Sequence, residues 1–318
     1  MRLPISWLSP AGRAGRLTIL IFHRVLSRHD PLNPDEPDAG EFEQRMRWVR
    51  DWFTVLPLRD AAQRLVDGTI PARAMAITFD DGYADNREVA APILHRLGLT
   101  ATFFIATGFL DGGCMWNDRV IEAIRSCRAP ILDLAPLGLG VMSLGDQTGR
   151  RQAVMSIVRA IKHLPPAERL AATNAVTAAA GGFEPPPLMM TVSQLRELRS
   201  LGMDVGAHTV SHPILASSAD EQAWREISDG KQQLEQMVNG RVNVFAYPNG
   251  VPGDDYGPGH VRMVREAGFE AAVSTAWGAA SQRSDRFQLP RFTPWDRSRW
   301  RFGARLVANL SRPAPALA

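Results

Sequence analysis

Two adjacent carboxylates close an apolar run, Ala76-Ile77-Thr78-Phe79-Asp80-Asp81-Gly82. A run of that kind reads as a buried strand whose last residues emerge at a sheet edge. Side by side, two carboxylates repel unless something separates their roles. A metal ion does so: one carboxylate binds it and the other stays free as a base. Partners for such an ion stand downstream in His208-Thr209-Val210-Ser211-His212, which follows a second apolar run, Val205-Gly206-Ala207. One Asp and two His suit a zinc-like ion with positions left open for water and substrate. Each motif alone also fits an ordinary turn; their shared place at strand ends, beside Gly82 and Pro213, favours one site.

The elements that must position these residues alternate along the chain. Strands are expected at Leu17–Phe22, Phe53–Leu56, Met75–Phe79, Ala101–Ala106, Met203–Ala207, Val242–Ala246 and Ala271–Thr275. Amphipathic helices are expected between them. Phe42, Met46, Val49 and Phe53 recur at helical spacing in the first, and another runs from Asn86 to Leu97 and stops at Gly98. Thr191-x-x-Gln194 and Ser218-x-x-Glu221 have the form of capping boxes, opening helices that stop at Gly202 and Gly240. The second of these is expected to carry Trp224, Ile227, Leu234 and Val238 on one face. Repeated strand–helix units imply a largely parallel α/β sheet that can close into a barrel. In such barrels chemistry sits at the C-terminal strand ends. His23, Asp80-Asp81, His208, the Tyr247-Pro248-Asn249-Gly250 turn and Trp277 all fall at those ends.

The rhythm breaks between about 112 and 190. Helical stretches near Asp118–Arg125, Arg151–His163 and Pro166–Ala180 flank a loose Gly/Leu-rich segment, and Gly-Gly and Pro-Pro-Pro near the end mark a boundary. This reads as a helical insertion within a single domain spanning 1–318. The Trp116-Asn117-Asp118-Arg119 stretch reads as a helix start with Asn117 or Asp118 as cap. A tail at about 296–318 carries Trp300, Phe302, Leu306, Val307 and Leu310 among several Arg. It is expected to pack on the barrel, with a helix at a membrane interface as the alternative.

Bulk properties narrow the function classes. The 318 residues are 45% hydrophobic and 22% charged, enough for a sizeable core and unlike a disordered chain. A net charge of +3 gives no case for nucleic acid. Cys114 and Cys127 have neither metal-ligand nor disulfide-framework spacing. No signal peptide or membrane span is expected, so the expected location is cytoplasmic, with peripheral membrane contact the alternative.

Thr78-Phe79-Asp80-Asp81-Gly82-Tyr83 and His208-Thr209-Val210-Ser211-His212-Pro213 resemble the first two motifs of the polysaccharide deacetylase family, carbohydrate esterase family 4. The resemblance runs from Leu17–His23 to Leu289-Pro290-Arg291. It implies a distorted (β/α)7-8 barrel. By position it makes Asp80 the catalytic base and Asp81, His208 and His212 the holders of a divalent metal: zinc, or nickel, cobalt or manganese. The family's third motif resembles Phe245-Ala246-Tyr247-Pro248-Asn249-Gly250, which implies an oxyanion and substrate-binding turn with the Asn249 amide as donor.

The best-known family pattern has an Arg where Ala246 stands, paired with an acid that the segment Val273–Trp277 lacks. Its Leu-x-His acid is also missing, with Leu289-Pro290-Arg291 near that place. An exopolysaccharide-associated branch acting on poly-N-acetylglucosamine shows the same Phe-Ala-Tyr-Pro turn and uses an N-terminal strand-end His as acid. His23 resembles that residue. Trp277 is a candidate wall for an acetyl pocket, and Arg291 a candidate for positioning an acid or the Asp80 carboxylate. The expected function is a metal-dependent hydrolase removing N-acetyl groups from a sugar of a polysaccharide or its lipid-linked precursor. An O-acetyl esterase or non-sugar amidase, and a carbohydrate-binding barrel without turnover, are the alternatives.

Overall fold

A computed structural model describes residues 2–312. Its first unit comprises described residues of 1–28, 36–110 and 190–318; its second comprises 29–35 and 111–189. In chain order the elements are α1 (Arg2–Leu8), β1 (Leu17–Phe22), α2 (Ala39–Trp52), β2 (Thr54–Val55), α3 (Leu58–Asp67), β3 (Ala74–Phe79), a π-helical turn (Asn86–Ala90) running into α4 (Ala91–Arg96), and β4 (Thr102–Ile105). The second unit then supplies α5 (Trp116–Ser126), β5 (Ile131–Leu134), β6 (Gly140–Ser143), α6 (Gln147–Ile161) and α7 (Pro166–Ala179). The first unit resumes with α8 (Val192–Ser200), β7 (Asp204–Ala207), α9 (Asp220–Val238), β8 (Val244–Ala246), α10 (Pro258–Glu266), β9 (Ala271–Val273) and α11 (Arg299–Ser311).

The first unit holds a seven-stranded sheet in the order β1-β3-β4-β7-β8-β9, with β2 beside the start of β3. Every pairing in it is parallel. Its strands are largely apolar because both faces are covered. Residues 289–292 link the two edges: the Leu289 N–H donates to Ala272 of β9 and its carbonyl accepts from the Ser274 N–H, while the Phe292 N–H donates to Ile19 of β1 and its carbonyl accepts from the Ile21 N–H. The sheet thus curls into a distorted barrel. Alternate residues divide into two cores. Leu20, Phe22, Phe79, Phe103, Val205 and Phe245 pack on the surrounding helices, with Phe79 stacked between Phe22 and Phe103 at 5.3 and 4.7 Å. Leu17, Ile19, Ala74, Ala76, Phe104, Ala246 and Val273 face the other way and pack with α3. Ala74, Ala76, Ala246 and Ala271 keep that second face open for the buried polar groups Thr78, Thr102 and Arg291.

All seven expected strands form, several a residue or two shorter than their apolar runs. The Thr191–Gln194 capping box is present. The Ser218 box is not: α9 starts at Asp220 after Ala219, which makes no side-chain cap, and it ends at Asn239 in the left-handed region rather than at Gly240. Ile227, Leu234 and Val238 are buried along α9, but Trp224 is exposed. The segment Asn86–Leu97 is helical but begins as a π turn, next to Pro92. The described part of the tail packs on the first unit, with Phe302, Leu306 and Leu310 buried in its core; 313–318 lie outside the described residues.

In the second unit the three expected helices pack around Val120, Ile124, Ile157 and Val176. The Gly/Leu-rich segment is not loose: β5 and β6 pair antiparallel, Ile131 opposite Ser143, so the unit is not wholly helical. Helix α5 starts after Met115, without a side-chain cap from Asn117 or Asp118. Cys114 and Cys127 are free thiols. No helix among the described residues is long and apolar enough to cross a membrane.

Gly206 shows how tightly the sheet is packed. It pairs with Phe104, and a Cβ there would stand 2.4 Å from that ring and 3.0 Å from Val244. Gly206→Ala is expected to destabilise the protein by about 1–3 kcal/mol through overpacking, read as a lower urea midpoint at unchanged m-value.

Candidate active site

The strand ends bring the polar residues together. In the β1–β3 register Phe22 lies opposite Phe79, which sets His23 beside Asp80, and the Asp80 N–H donates to the Phe22 carbonyl at 2.9 Å. Asp80 continues the alternation Ala76, Thr78 and so faces the small-residue side of the sheet. There it meets Arg291, which is 1% exposed. The guanidinium donates from its two terminal nitrogens to the two Asp80 oxygens, at 2.7 and 2.8 Å, and from Nε to the Ser274 carbonyl at 2.9 Å. Such a bidentate fork is geometrically specific to Arg. Burial alone would raise the Asp80 carboxyl, but the Arg291 charge and its hydrogen bonds, with help from His208, outweigh it and hold the group below the usual carboxylate range.

The backbone separates the second carboxylate from the first. Asp81 has φ 78° and Gly82 φ 96°, two left-handed residues in succession. Gly82 suits this without strain; Asp81 tolerates it at a cost. The turn is pinned where the Met190 N–H donates to the Gly82 carbonyl at 3.0 Å. Asp81 Oδ1 then lies 3.4 Å from Nε2 of both His208 and His212.

His208 follows β7 directly. Its Nδ1 lies 2.8 Å from the Ala246 carbonyl, which can only accept, so Nδ1 carries the proton and Nε2 presents a lone pair. His212 returns to the same point through a loop with two left-handed residues, Thr209 at φ 66° and His212 at φ 53°. The loop is held at each step. Glu226 of α9 accepts from the Val210 and Ser211 N–H groups at 2.9 and 2.8 Å and from the Ser211 hydroxyl at 2.6 Å. The His212 N–H donates to Thr209 Oγ1, and Gly230 brings α9 against the Thr209 backbone, where a Cβ would meet atoms at 2.9 Å. Burial pushes His212 down to about 4 against the opposing pull of Asp81.

One atom each of Asp81, His208 and His212 lies within 4.8 Å of the others. Buried Asp81 Oδ1 has no hydrogen-bond partner. A buried carboxylate oxygen without a donor, facing imidazole lone pairs, is costly unless a cation sits among them. Two neutral imidazoles and one carboxylate therefore fit a zinc-like divalent ion with open coordination positions.

His23 is exposed, its carbonyl held by Asn86 Nδ2 at 2.8 Å. Packing around the ring lowers its pKa, but the carboxylates of Asp81, Asp80 and Glu36 outweigh this and raise it. In the β8 turn Pro248 is buried and Asn249 is left-handed at φ 57°, a conformation fixed in part by the Thr275 hydroxyl on its carbonyl. The Asn249 N–H has no acceptor among the described residues. Tyr247 departs from the substrate-binding expectation. Its ring is fully buried, stacked 3.8 Å from Tyr256, and its hydroxyl donates to the Phe287 carbonyl. Its side chain belongs to the core. Trp277 is 39% exposed beside Phe292 and Trp295, with Arg305 over its ring. Asp85, at the N-cap of the π turn, makes no side-chain cap bond; its carboxylate accepts from Arg24 at 2.8 Å and from the Val25 N–H. Glu226 and Glu36 carry no sequence signal, since each acts through a partner outside its own helical turn or strand.

The metal-free site has a calculable acid response. His212 is depressed in the fold, so between pH 6.5 and about 4 the unfolded chain binds more protons and stability falls on acidification. The contribution is of order 3 kcal/mol at most. In EDTA, wild type should lose more stability than His212→Gln between pH 6.5 and 4.5 by urea unfolding. The difference between the two cancels the opposite contributions of Glu36 and Asp85, whose pKa values are raised. Glu226→Gln, which weakens the hold on the loop, is expected to lower zinc affinity about 10- to 100-fold, measured by competition with a chelator.

The polysaccharide deacetylase sequence profile matches residues 67–128 and 167–272, more than half of the chain. YxkH of Bacillus subtilis (strain 168), named for the same family, is 22% identical over 288 residues, 90% of this chain and 74% of its own. The fold resembles that of the Streptococcus pyogenes deacetylase PplD in complex with acetate (TM-score 0.60, 19% identity, 87% of this chain and 92% of that one). It also resembles IcaB from Ammonifex degensii (TM-score 0.60, 16% identity, 96% and 99%) and the BpsB deacetylase domain from Bordetella bronchiseptica (TM-score 0.53, 15% identity, 87% and 95%). With its distorted parallel barrel and its strand-end carboxylates and histidines, this chain belongs to the polysaccharide deacetylase family.

Proposed function

We propose that this enzyme removes N-acetyl groups from an N-acetylated sugar of a polysaccharide or its lipid-linked precursor, using a divalent metal, zinc in the first instance, held by Asp81, His208 and His212. The observation that carries the reading is the division of the two carboxylates, Asp80 on Arg291 and Asp81 on the histidine pair. When bound, the ion lowers the pKa of a water and polarises the acyl carbonyl.

Asp80 is placed to take a proton from the attacking water as the water's oxygen adds to the amide carbon. Arg291 keeps Asp80 ionised, and a carboxylate has lone pairs beyond the two that the fork occupies. This pairing makes Asp80 a weak base, which suits an acidified water better than a bulk one. The oxyanion that develops on the acetyl group accepts from the unspent Asn249 N–H. The carbon–nitrogen bond breaks as His23 hands a proton to the departing amine. The raised pKa of His23 supplies the protonated form this step needs. Pro248 shapes the turn, and Trp277 offers an apolar face to the acetyl group or the ring.

The test is acetate release by the zinc-loaded protein from an N-acetylglucosamine oligomer and from O-acetylated xylan. Release from the first is expected, with Asp80→Asn slowing it by about 10²–10⁴-fold while one metal per chain is retained by elemental analysis. Preferential release from the O-acetylated substrate would point to an esterase. Sugar binding unchanged in Asp80→Asn, with no acetate released by wild type, would overturn the reading in favour of a binding barrel.

A further inference from the structure

We infer that the paired helices α1 and α11 form a docking face for an anionic lipid bilayer. The inference is independent of the site chemistry. Both helices bury one side: Ile5 of α1 and Phe302, Leu306 and Leu310 of α11 lie in the same core. Their other sides carry the most exposed large apolar residues among the described ones, Trp7 at 85%, Trp300 at 79% and Leu3 at 75%. Exposing a single apolar side chain is ordinary; two tryptophans and a leucine so far out on adjoining helices are not.

Their charge setting selects the partner. Neither helix, RLPISWL or RWRFGARLVANLS, contains an acidic residue. Arg2 and Arg299 line one shallow groove with Leu3, and Arg301 beside Trp300 is exposed. The acid in that groove, Asp51, has Arg299 3.6 Å from its carboxylate, while Arg2 donates to the Asp51 backbone carbonyl. Exposed tryptophan rings on helices that carry arginine and no acid match the headgroup level of a membrane, where the ring sits at the acyl boundary and the guanidinium meets lipid phosphate. A saccharide platform would need carboxylate or amide acceptors beside the rings to take sugar hydroxyls. A second copy of this chain would have to bring its own acids to a face that has none on these helices.

No step of insertion is required. The inner sides of α1 and α11 remain committed to the core, so contact is peripheral, with the two rings and Leu3 dipping below the headgroups.

The experiment is co-sedimentation of the full-length protein with phosphatidylcholine vesicles, with and without phosphatidylglycerol, alongside tryptophan emission. Binding to the phosphatidylglycerol vesicles with a blue shift is expected, weakening as salt rises. Trp7→Ser with Trp300→Ser should abolish it, and Arg301→Glu should weaken it roughly tenfold. Trp224→Ser, on exposed α9, should leave it intact and serves as the control for general surface effects. All these positions are exposed, so circular dichroism should show each variant folded. Absence of binding at low salt, or equal binding by the Trp7/Trp300 variant, would overturn the inference. So would a concentration-dependent dimer, seen by light scattering, that the same substitutions dissolve.

Discussion

The buried ion pair between Asp80 and Arg291 is the constraint on which the rest of the site depends. A carboxylate enclosed on the small-residue face of the sheet cannot stay ionised without a counter-charge that also satisfies its lone pairs. Arg291 does both with one fork, and Ser274 and Thr78 take its remaining donors at 2.9 and 3.3 Å. The same residue lies in segment 289–292, whose backbone joins β9 to β1. Closure of the barrel and neutralisation of the carboxylate are therefore a single event. Neither could be had from a chain that stopped its sheet at β9.

A second consequence concerns the candidate metal ligands. With Asp80 spoken for, Asp81 is free to turn to the histidines, and the backbone makes it do so by entering the left-handed region at Asp81, Thr209 and His212. Non-glycine residues in that region cost stability and persist only where surroundings over-determine them. Here the surroundings are visible: Glu226 on two amides and a hydroxyl, Thr209 Oγ1 under the His212 amide, and the bare face of α9 at Gly230. Three ligands that meet at one point in this way need little reorganisation on loading. That agrees with an Asp81 oxygen left without a donor.

The sequence was most legible where a residue's role is local. Apolar runs marked all seven strands because a parallel sheet covered on both faces needs them apolar. The Thr191 box was readable because both partners lie within one turn. It was least legible where geometry joins distant segments. Arg291 is 211 residues from Asp80, and no spacing rule connects them; only the family resemblance made it a candidate for positioning that carboxylate, as the fork now shows it does. Glu226 looks like any charged position on a helix until the loop is seen resting on it. Tyr247 shows the converse failure. Its place in a motif says the backbone turns there, while the direction of its ring, set by Tyr256 and Phe287, is a packing outcome. The pair β5–β6 escaped because four-residue strands carry too few side chains to show a period.

Ala246 gathers these strands of argument. The best-known family pattern that this chain resembles places an arginine there, and its absence by itself would suggest a lost function. In the fold, Ala246 packs in the small-residue core and lends its carbonyl to orient His208. The guanidinium instead comes from Arg291 at the barrel seam. What the chemistry requires is a positive charge at hydrogen-bonding distance from Asp80, and any segment bordering that spot can provide it. A motif is thus a record of one route to a field, and the field is the quantity the fold must supply.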